Sequence, residues 1–248
     1  MEPICVLSDV HGNLAALNAV LTRLDELGVK HIYSLGDTVG YGPQPVECFR
    51  IAREKFDVML MGNHEYAAST KDWGCFNPVA AQAISWTRDQ LVAAGEIGYI
   101  KDLPSSVHRG EALYVHGSVH DPIHDYVLEK DRSGLSSFDA VAGDLEKEFK
   151  GFNLCFVGHN HQPFLCTQEG FIHPHDDFRE FQITGEKLYV CVGSVGQPRD
   201  GDPRSCFVVY DGERVTYHRV SYPVEVTSQL ILDSELPDYL AKRIVVGR

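Results

Sequence analysis

An α/β fold in one domain with two β-sheets is predicted by three features of this 248-residue chain. Short apolar runs recur along it, and each ends in a polar motif. Helical stretches separate the early runs. Beyond residue 163 the helices thin out, and short runs divided by turns take over. Runs of four or five apolar residues without alternation read as strands buried on both faces. Strands alternating with helices imply crossover connections.

The first run, Ile4-Cys5-Val6-Leu7, leads to Ser8-Asp9-Val10-His11-Gly12-Asn13. Having no basic residues before it and Asp9 and His11 straight after, it reads as a core strand rather than a signal peptide. Asn13 can cap a helix with Leu14, Leu17, Leu21 and Leu24 on one face, closed by Gly28. Ile32-Tyr33-Ser34-Leu35 is the second strand and leads to Gly36-Asp37. Residues 43–54 follow as a helix with a proline near its start. Val58-Met59-Leu60-Met61 leads to Gly62-Asn63-His64-Glu65, and residues 78–94 form the third helix. Ala112-Leu113-Tyr114-Val115 leads to His116-Gly117, with a fourth helix over 136–150. Leu154-Cys155-Phe156-Val157 leads to Gly158-His159-Asn160-His161, and residues 188–192 lead to Gly193-Ser194-Val195-Gly196. Within 163–220, the stretches 205–211 and 214–220 flank the turn Asp211-Gly212 and suggest a second, more antiparallel sheet. The tail, 224–246, reads as one or two short helices split near Pro237.

A chain of this length can bury roughly three quarters of its unfolded surface. No apolar run approaches the ~20 residues needed to cross a bilayer, so a cytoplasmic location without membrane contact is expected. The seven cysteines are odd in number and form no C-x-x-C pair. Several sit inside apolar runs, as reduced, buried small hydrophobes do. With 35 acidic against 22 basic residues the net charge is -13. Duplex nucleic acid, which demands a basic footprint, is a poor fit.

Ligands of α/β sheets gather at the loops leaving the C-terminal ends of strands. Five such exits supply Asp9, His11, Asp37, Asn63, His64, His116, His159 and His161. This oxygen and nitrogen set has no thiolate and suits divalent Mn, Fe, Zn, Ni or Mg. A metal also relieves the cost of burying so much unpaired charge. In Gly-His-Asn-His, alternate residues of an extended segment share a face, so both imidazoles can converge.

With these motifs the chain resembles the calcineurin-like metallophosphoesterases, and is most similar to their small bacterial and archaeal phosphodiesterase branch. The resemblance runs from Asp9 to about Arg204. It includes Gly36-Asp37-Thr38-Val39-Gly40-Tyr41-Gly42-Pro43, Val115-His116-Gly117-Ser118 and Gly193-Ser194-Val195-Gly196-Gln197-Pro198-Arg199-Asp200-Gly201. It implies a four-layer α-β-β-α sandwich of two mixed sheets flanked by helices, with a dinuclear site at one edge. It further implies that Asp9, His11 and His161 hold one metal and Asn63, His116 and His159 the other, with Asp37 bridging. A metal-bridging hydroxide would then attack phosphorus in line with the leaving oxygen. His64 would donate a proton to the leaving group or stabilise the transition state. Glu65 would orient an imidazole. Manganese is the leading ion.

The stretch after Asp37 lacks the arginine of Gly-Asp-x-x-Asp-Arg-Gly. That argues against a protein Ser/Thr phosphatase and against a symmetrical dinucleoside tetraphosphate hydrolase. Arg199 and Arg204 are candidate phosphate contacts, although a solvated turn paired with Asp200 and Asp202 is the plainer reading. Tyr41 can stack on a base, line the pocket or pack. His120 and His124 lie in a rim or lid loop, and His173, Pro174, His175, Asp176 and Asp177 in a surface loop. Trp73, Phe76 and Trp86 read as core or as cover for the site. The expected activity is hydrolysis of a small phosphorylated molecule, a nucleotide among the candidates, with two divalent ions. The rival readings are a nuclease or nucleotide-specific phosphoesterase, and a catalytically silent metal-binding scaffold. An intact ligand set weighs against the scaffold.

Overall fold

The computed structural model describes residues 1–74, 76–130, 137–176 and 178–248. One of the seven cysteines, Cys75, the first residue of the helix expected over 136–150, and Asp177 of the surface loop lie outside the described residues. The chain begins with β1 (Ile4–Leu7), α1 (Leu14–Leu27), β2 (His31–Ser34), α2 (Pro45–Lys55) and β3 (Val58–Met59). It continues with α3 (Asn63–Thr70), α4 (Pro78–Ala93), α5 (Ile97–Ile100), β4 (Ser106–Arg109) and β5 (Ala112–Val115). After α6 (Phe138–Lys147) come β6 (Leu154–Val157), β7 (Phe164–Thr167), β8 (Gly170–Ile172), β9 (Glu180–Gln182) and β10 (Leu188–Cys191). The hairpin β11 (Ser205–Tyr210) and β12 (Arg214–Val220) precedes α7 (Val224–Leu232) and α8 (Asp238–Val245).

The strands form two six-stranded sheets, ordered β3-β2-β1-β11-β12-β9 and β4-β5-β6-β10-β7-β8. Each is mixed. In the first, β1, β2 and β3 run parallel while β11, β12 and β9 are antiparallel additions. In the second, β5, β6 and β10 run parallel, with β4, β7 and β8 antiparallel at the flanks.

One expectation is corrected here. The strands beyond residue 163 do not make up a sheet of their own. β9, β11 and β12 complete the first sheet, and β7, β8 and β10 complete the second. The parallel halves need antiparallel partners to cover their exposed edges, and the C-terminal third supplies partners to both.

Alternation along buried strands builds the layers. Ile4 and Val6 of β1 meet Leu154 and Phe156 of β6 between the sheets, with Leu188, Val190, Val208, Tyr210 and Tyr217. Cys5 and Leu7 point the other way, onto Leu17, Val20 and Leu24 of α1. On the far side, Cys155 and Val157 pack under Val141 and Leu145 of α6. The result is helix, sheet, sheet, helix. The helices α4, α7 and α8 pack together at one side around Ala83, Ile231, Leu240 and Ile244.

The first helix follows its sequence signals. Asn13 accepts from Ala16 N at 3.1 Å, and Gly28 closes the helix at φ 67°. The tail divides at Pro237, as expected. The described cysteines are buried and unpaired. No helix among the described residues is long and apolar enough to cross a membrane.

Candidate metal centre

Five loops at the C-terminal ends of the parallel strands meet at one edge of the two sheets. Asp9 and His11 follow β1, Asp37 follows β2, and Asn63 and His64 open α3 just after β3. His116 follows β5, and His159 and His161 follow β6. The backbone is bent to deliver them. Asp9, His11, Asp37, His159 and His161 all adopt positive φ, between 49° and 67°. The other non-glycine residues in that region, among those described, are Tyr41 beside the centre and the helix-ending Lys71. The left-handed region is unfavourable for a side chain with Cβ. Its concentration here means the loops trade backbone comfort for side-chain convergence.

The convergence has two lobes. In the first, His11 Nε2 lies 3.2 Å from His161 Nε2 and 3.6 Å from Asp9 Oδ1, and His161 Nε2 lies 3.2 Å from Asp9 Oδ1. In the second, His116 Nε2 lies 3.1 Å from Asn63 Oδ1 and 3.1 Å from His159 Nδ1. Asp37 Oδ2 faces both, 3.7 Å from His11 Nε2 and 3.3 Å from His116 Nε2. Asp37 Oδ1 accepts from the backbone N–H of His64 at 2.9 Å. Asp37 Oδ2 is therefore the carboxylate oxygen that faces both lobes.

The tautomers decide whether this is a hydrogen-bonded cluster or a cation site. His11 Nδ1 donates to Val39 O at 3.1 Å, and His161 Nδ1 donates to Gln197 O at 2.6 Å. Each Nε2 therefore turns an unprotonated lone pair inward. His159 Nε2 donates to His124 O at 3.2 Å, which leaves its Nδ1 lone pair facing His116. Lone pairs of two imidazoles and the Asp9 Oδ1 oxygen, which accepts no hydrogen bond, crowd together in the first lobe. That crowding is repulsive unless a cation stands among them. Donors bound to one tetrahedral ion at ~2.1 Å sit roughly 3.4 Å apart, and the observed spacings bracket that value. The residues fit a pair of divalent ions.

The charge balance agrees. Burial alone would push the Asp9 carboxyl up, but the imidazoles of His161 and His11 hold it well below the usual carboxylate range. Asp37 is likewise lowered: His116 and His64 outweigh its burial. Burial works against charge on His116, yet Asp37 outweighs it and raises the imidazole to about 9. Burial keeps His159 well below its ordinary value, helped by the charge of His116. It brings His161 down to about 3, with Arg199 adding to the effect. His64 falls to about 3, again chiefly through burial. His159 and His161 are thereby neutral, the form of imidazole that binds metal, whereas a metal would displace a proton from His116.

Glu65 does not orient an imidazole. Its carboxylate accepts from the backbone N–H groups of Asp37 at 2.7 Å, Gly62 at 3.0 Å and Val39 at 3.1 Å. It locks the loop after β2 to the loop after β3, which a ring partner could not do. Gly62 is needed at that junction because a Cβ would run into Asp37 Oδ1.

His64 stands beside the first lobe, edge-on to His11 at 4.8 Å and against Tyr41 at 4.4 Å and Phe76 at 4.9 Å. With Asp37, Asn63, His159 and His161 it lines a cavity of about 520 Å3. Tyr41 and Arg199 line the same cavity. Arg204 does not; it pairs with Asp202 at 2.6 Å and Asp176 at 3.2 Å, in the turn arrangement anticipated for it. The side chain of His120 pairs with Asp144, that of His124 with Asp121 and that of His173 with Glu129, and none of the three lines the cavity. His175 exchanges backbone hydrogen bonds with Phe178. Trp86 packs with α4 and α8, and Trp73 packs beside α3. The sequence reading missed the orienting carbonyls of Val39, Gln197 and His124, since any residue type carries one. It also missed Tyr126, stacked on His159 with ring centroids 3.6 Å apart, and Tyr239 and Arg243, which reach the cavity from α8.

A model of the calcineurin-like phosphoesterase family matches residues 2–163. An uncharacterized protein of Methanocaldococcus jannaschii is 32% identical over 253 residues, covering 99% of this chain and 98% of the relative. The crystal structure of a metallophosphoesterase from Sphaerobacter thermophilus is similar with a TM-score of 0.84 and 36% identity, covering 99% of each chain. A hypothetical protein from Pyrococcus horikoshii shares the fold with a TM-score of 0.80 at 19% identity, over 100% of this chain and 99% of that one.

Proposed function

This chain belongs to the calcineurin-like phosphoesterase family, and we propose that it is a phosphodiesterase that works with two divalent ions on a small phosphorylated molecule. The observation that carries this reading is the pair of clusters of imidazole, carboxylate and amide groups that share Asp37 Oδ2 at the wall of a cavity. Asp9, His11 and His161 would hold one ion, Asn63, His116 and His159 the other, and Asp37 both. Bound there, the ions would supply an activated water for in-line attack and neutralise charge growing on the phosphate oxygens. Manganese leads among Mn, Fe, Zn, Ni and Mg, because an oxygen and nitrogen set is selective by availability rather than affinity.

His64 is the group placed to act on the reacting ester. Burial keeps its ring neutral well below pH 7, so it stabilises the departing oxygen through an N–H hydrogen bond rather than by delivering a proton. Arg199, on the same wall, holds a phosphate oxygen. A bounded cavity in a chain of net charge -13 favours a small substrate, a nucleotide among them, over an extended nucleic acid. Six buried, unpaired cysteines support a reducing, cytoplasmic setting.

The test is hydrolysis of bis-p-nitrophenyl phosphate and p-nitrophenyl phosphate by the manganese-loaded protein, beside Asp37→Ala and His64→Ala. We expect turnover that chelation abolishes, faster on the diester, with each variant slower by ~100-fold or more. Wild type no faster than the variants would instead bring the silent scaffold forward.

A further inference from the structure

We propose that the cavity is built for a phosphate ester carrying a second anionic group, which Arg243 receives at the end away from the metal centre. The inference rests on the phosphoesterase reading for the first phosphate and adds the recognition of a second charge. Arg199 and Arg243 are the two basic residues among those lining the cavity, and Asp37 is the single acidic one. Asp37 is committed to the metal centre. The remaining wall is therefore cationic, in a protein with thirteen more acidic than basic side chains (35 − 22).

Neither guanidinium is neutralised by a side-chain carboxylate among the described residues. Seven other described arginines have one, whereas Arg88 and Arg109 bond main-chain carbonyls outside the cavity. Arg199 donates to Gln197 Oε1 at 2.9 Å, and its buried Nε has no acceptor. Arg243 gives its Nε–H to the Arg248 main-chain oxygen, which leaves the terminal nitrogens for the cavity. Tyr41 lies 5.9 Å from the Arg199 guanidinium, and Tyr239 lies 5.6 Å from that of Arg243. These rings hold the two forks without discharging them. Two like charges sharing one half-buried wall repel, and burial with the nearby Arg199 charge lowers the pKa of Arg243. An anion between or beside them removes that penalty, and a guanidinium fork matches phosphate or carboxylate bidentately. The positions are graded. The Arg199 backbone N–H donates to His161 O at 3.3 Å, which sets this arginine beside the first lobe, so it serves the reacting phosphate. Arg243, on α8 beside Tyr239, serves the second group.

The test is direct binding by calorimetry to the manganese-loaded protein, with two matched pairs of probes. Glycerol 3-phosphate is compared with 3-phosphoglycerate, and adenosine 5′-monophosphate with adenosine 3′,5′-bisphosphate. In the wild type we expect the two-anion member of at least one pair to bind ~10-fold tighter or more, about the value of one charged hydrogen-bonded contact. In Arg243→Gln that ratio should collapse to ~3-fold or less, and Arg243→Lys should restore part of it. The inference is overturned by equal affinities within both pairs in the wild type, which needs no variant, or by a ratio that survives Arg243→Gln. Binding is read without turnover, so the two readings fail separately. Discrimination without hydrolysis of any ester would sink the phosphoesterase reading alone. Turnover of bis-p-nitrophenyl phosphate without discrimination would sink this one alone.

Discussion

At the scale of single residues, the centre depends on side chains whose backbones are held in an unfavourable region. Five of the seven proposed ligands have positive φ, and each such residue costs of order 1–3 kcal/mol. The hydrogen bonds that hold them join one loop to another. His11 N donates to Asp37 O at 2.9 Å, Asp9 N to Gly36 O at 3.1 Å, and His159 N to Asp9 Oδ2 at 3.1 Å. The ligand types were legible in the sequence because each sits on a strand exit in a recognisable motif. Their tautomers were not, because the carbonyls that set them belong to Val39, Gln197 and His124, residues with no chemical signature. The role of His64 can be tested at this scale. A neutral donor is replaceable by another donor, so His64→Gln should keep about tenfold more kcat than His64→Ala. Metal content, measured in parallel, should be equal in both. If the glutamine variant is as slow as the alanine one, and wild-type kcat falls through pH 6–8 in a His64-dependent way, the proton-donor role is the right one.

At the scale of elements, strands and capped helices were readable, and partnership was not. Periodicity and caps located α1, α4 and the split tail closely. The helix α3 escaped because Asn63–Thr70 carries no apolar stripe; it is held by the Glu65 carboxylate and by contact with α4 and α5. The strand β3 is only two residues long, so half of the apolar run at 58–61 serves as a connection. Asn13 illustrates how an element signal understates a residue. The sequence marks it as an N-cap. In the fold its Oδ1 also accepts from Thr227 Oγ1 at 2.8 Å, and its Nδ2 donates to Gly196 O at 2.9 Å and to the Tyr222 hydroxyl at 3.1 Å. It pins α1 to α7 and to the loop after β10. Losing a cap costs ~1 kcal/mol, and leaving Gly196 O without its donor adds ~1–3. Asn13→Ala should therefore lower the unfolding free energy by about 2–4 kcal/mol. In a urea titration this appears as a lower midpoint at unchanged slope. A loss under ~1 kcal/mol would mean that the cap is all Asn13 provides.

At the scale of the whole molecule, the proposed metal pair is a clasp between the two sheets. Each lobe draws on both: Asp9 and His11 from β1 face His161 from β6, and Asn63 after β3 faces His116 and His159 after β5 and β6. Away from the centre the sheets meet through an apolar core, crossed by the Tyr217 hydroxyl of β12, which donates to Phe164 O and Cys191 O of the other sheet. Removing the ions should therefore act unevenly. Binding at ~1,000 times Kd stabilises by about 4 kcal/mol per site, so removing both ions should lower the unfolding midpoint by ~15–30 °C for a chain of this length. The lone-pair crowding left behind should open the loops first. Hydrogen exchange should rise in residues 8–12, 36–42, 62–66 and 158–162 on chelation, while β11 and β12, deep in the first sheet, change little. Asp37→Ala, which removes the shared oxygen, should already exchange like the chelated protein and respond little to added manganese. Uniform loosening of both sheets would mean that the ions stabilise the fold without clasping its halves. No change at all would mean that these side chains hold no metal in solution.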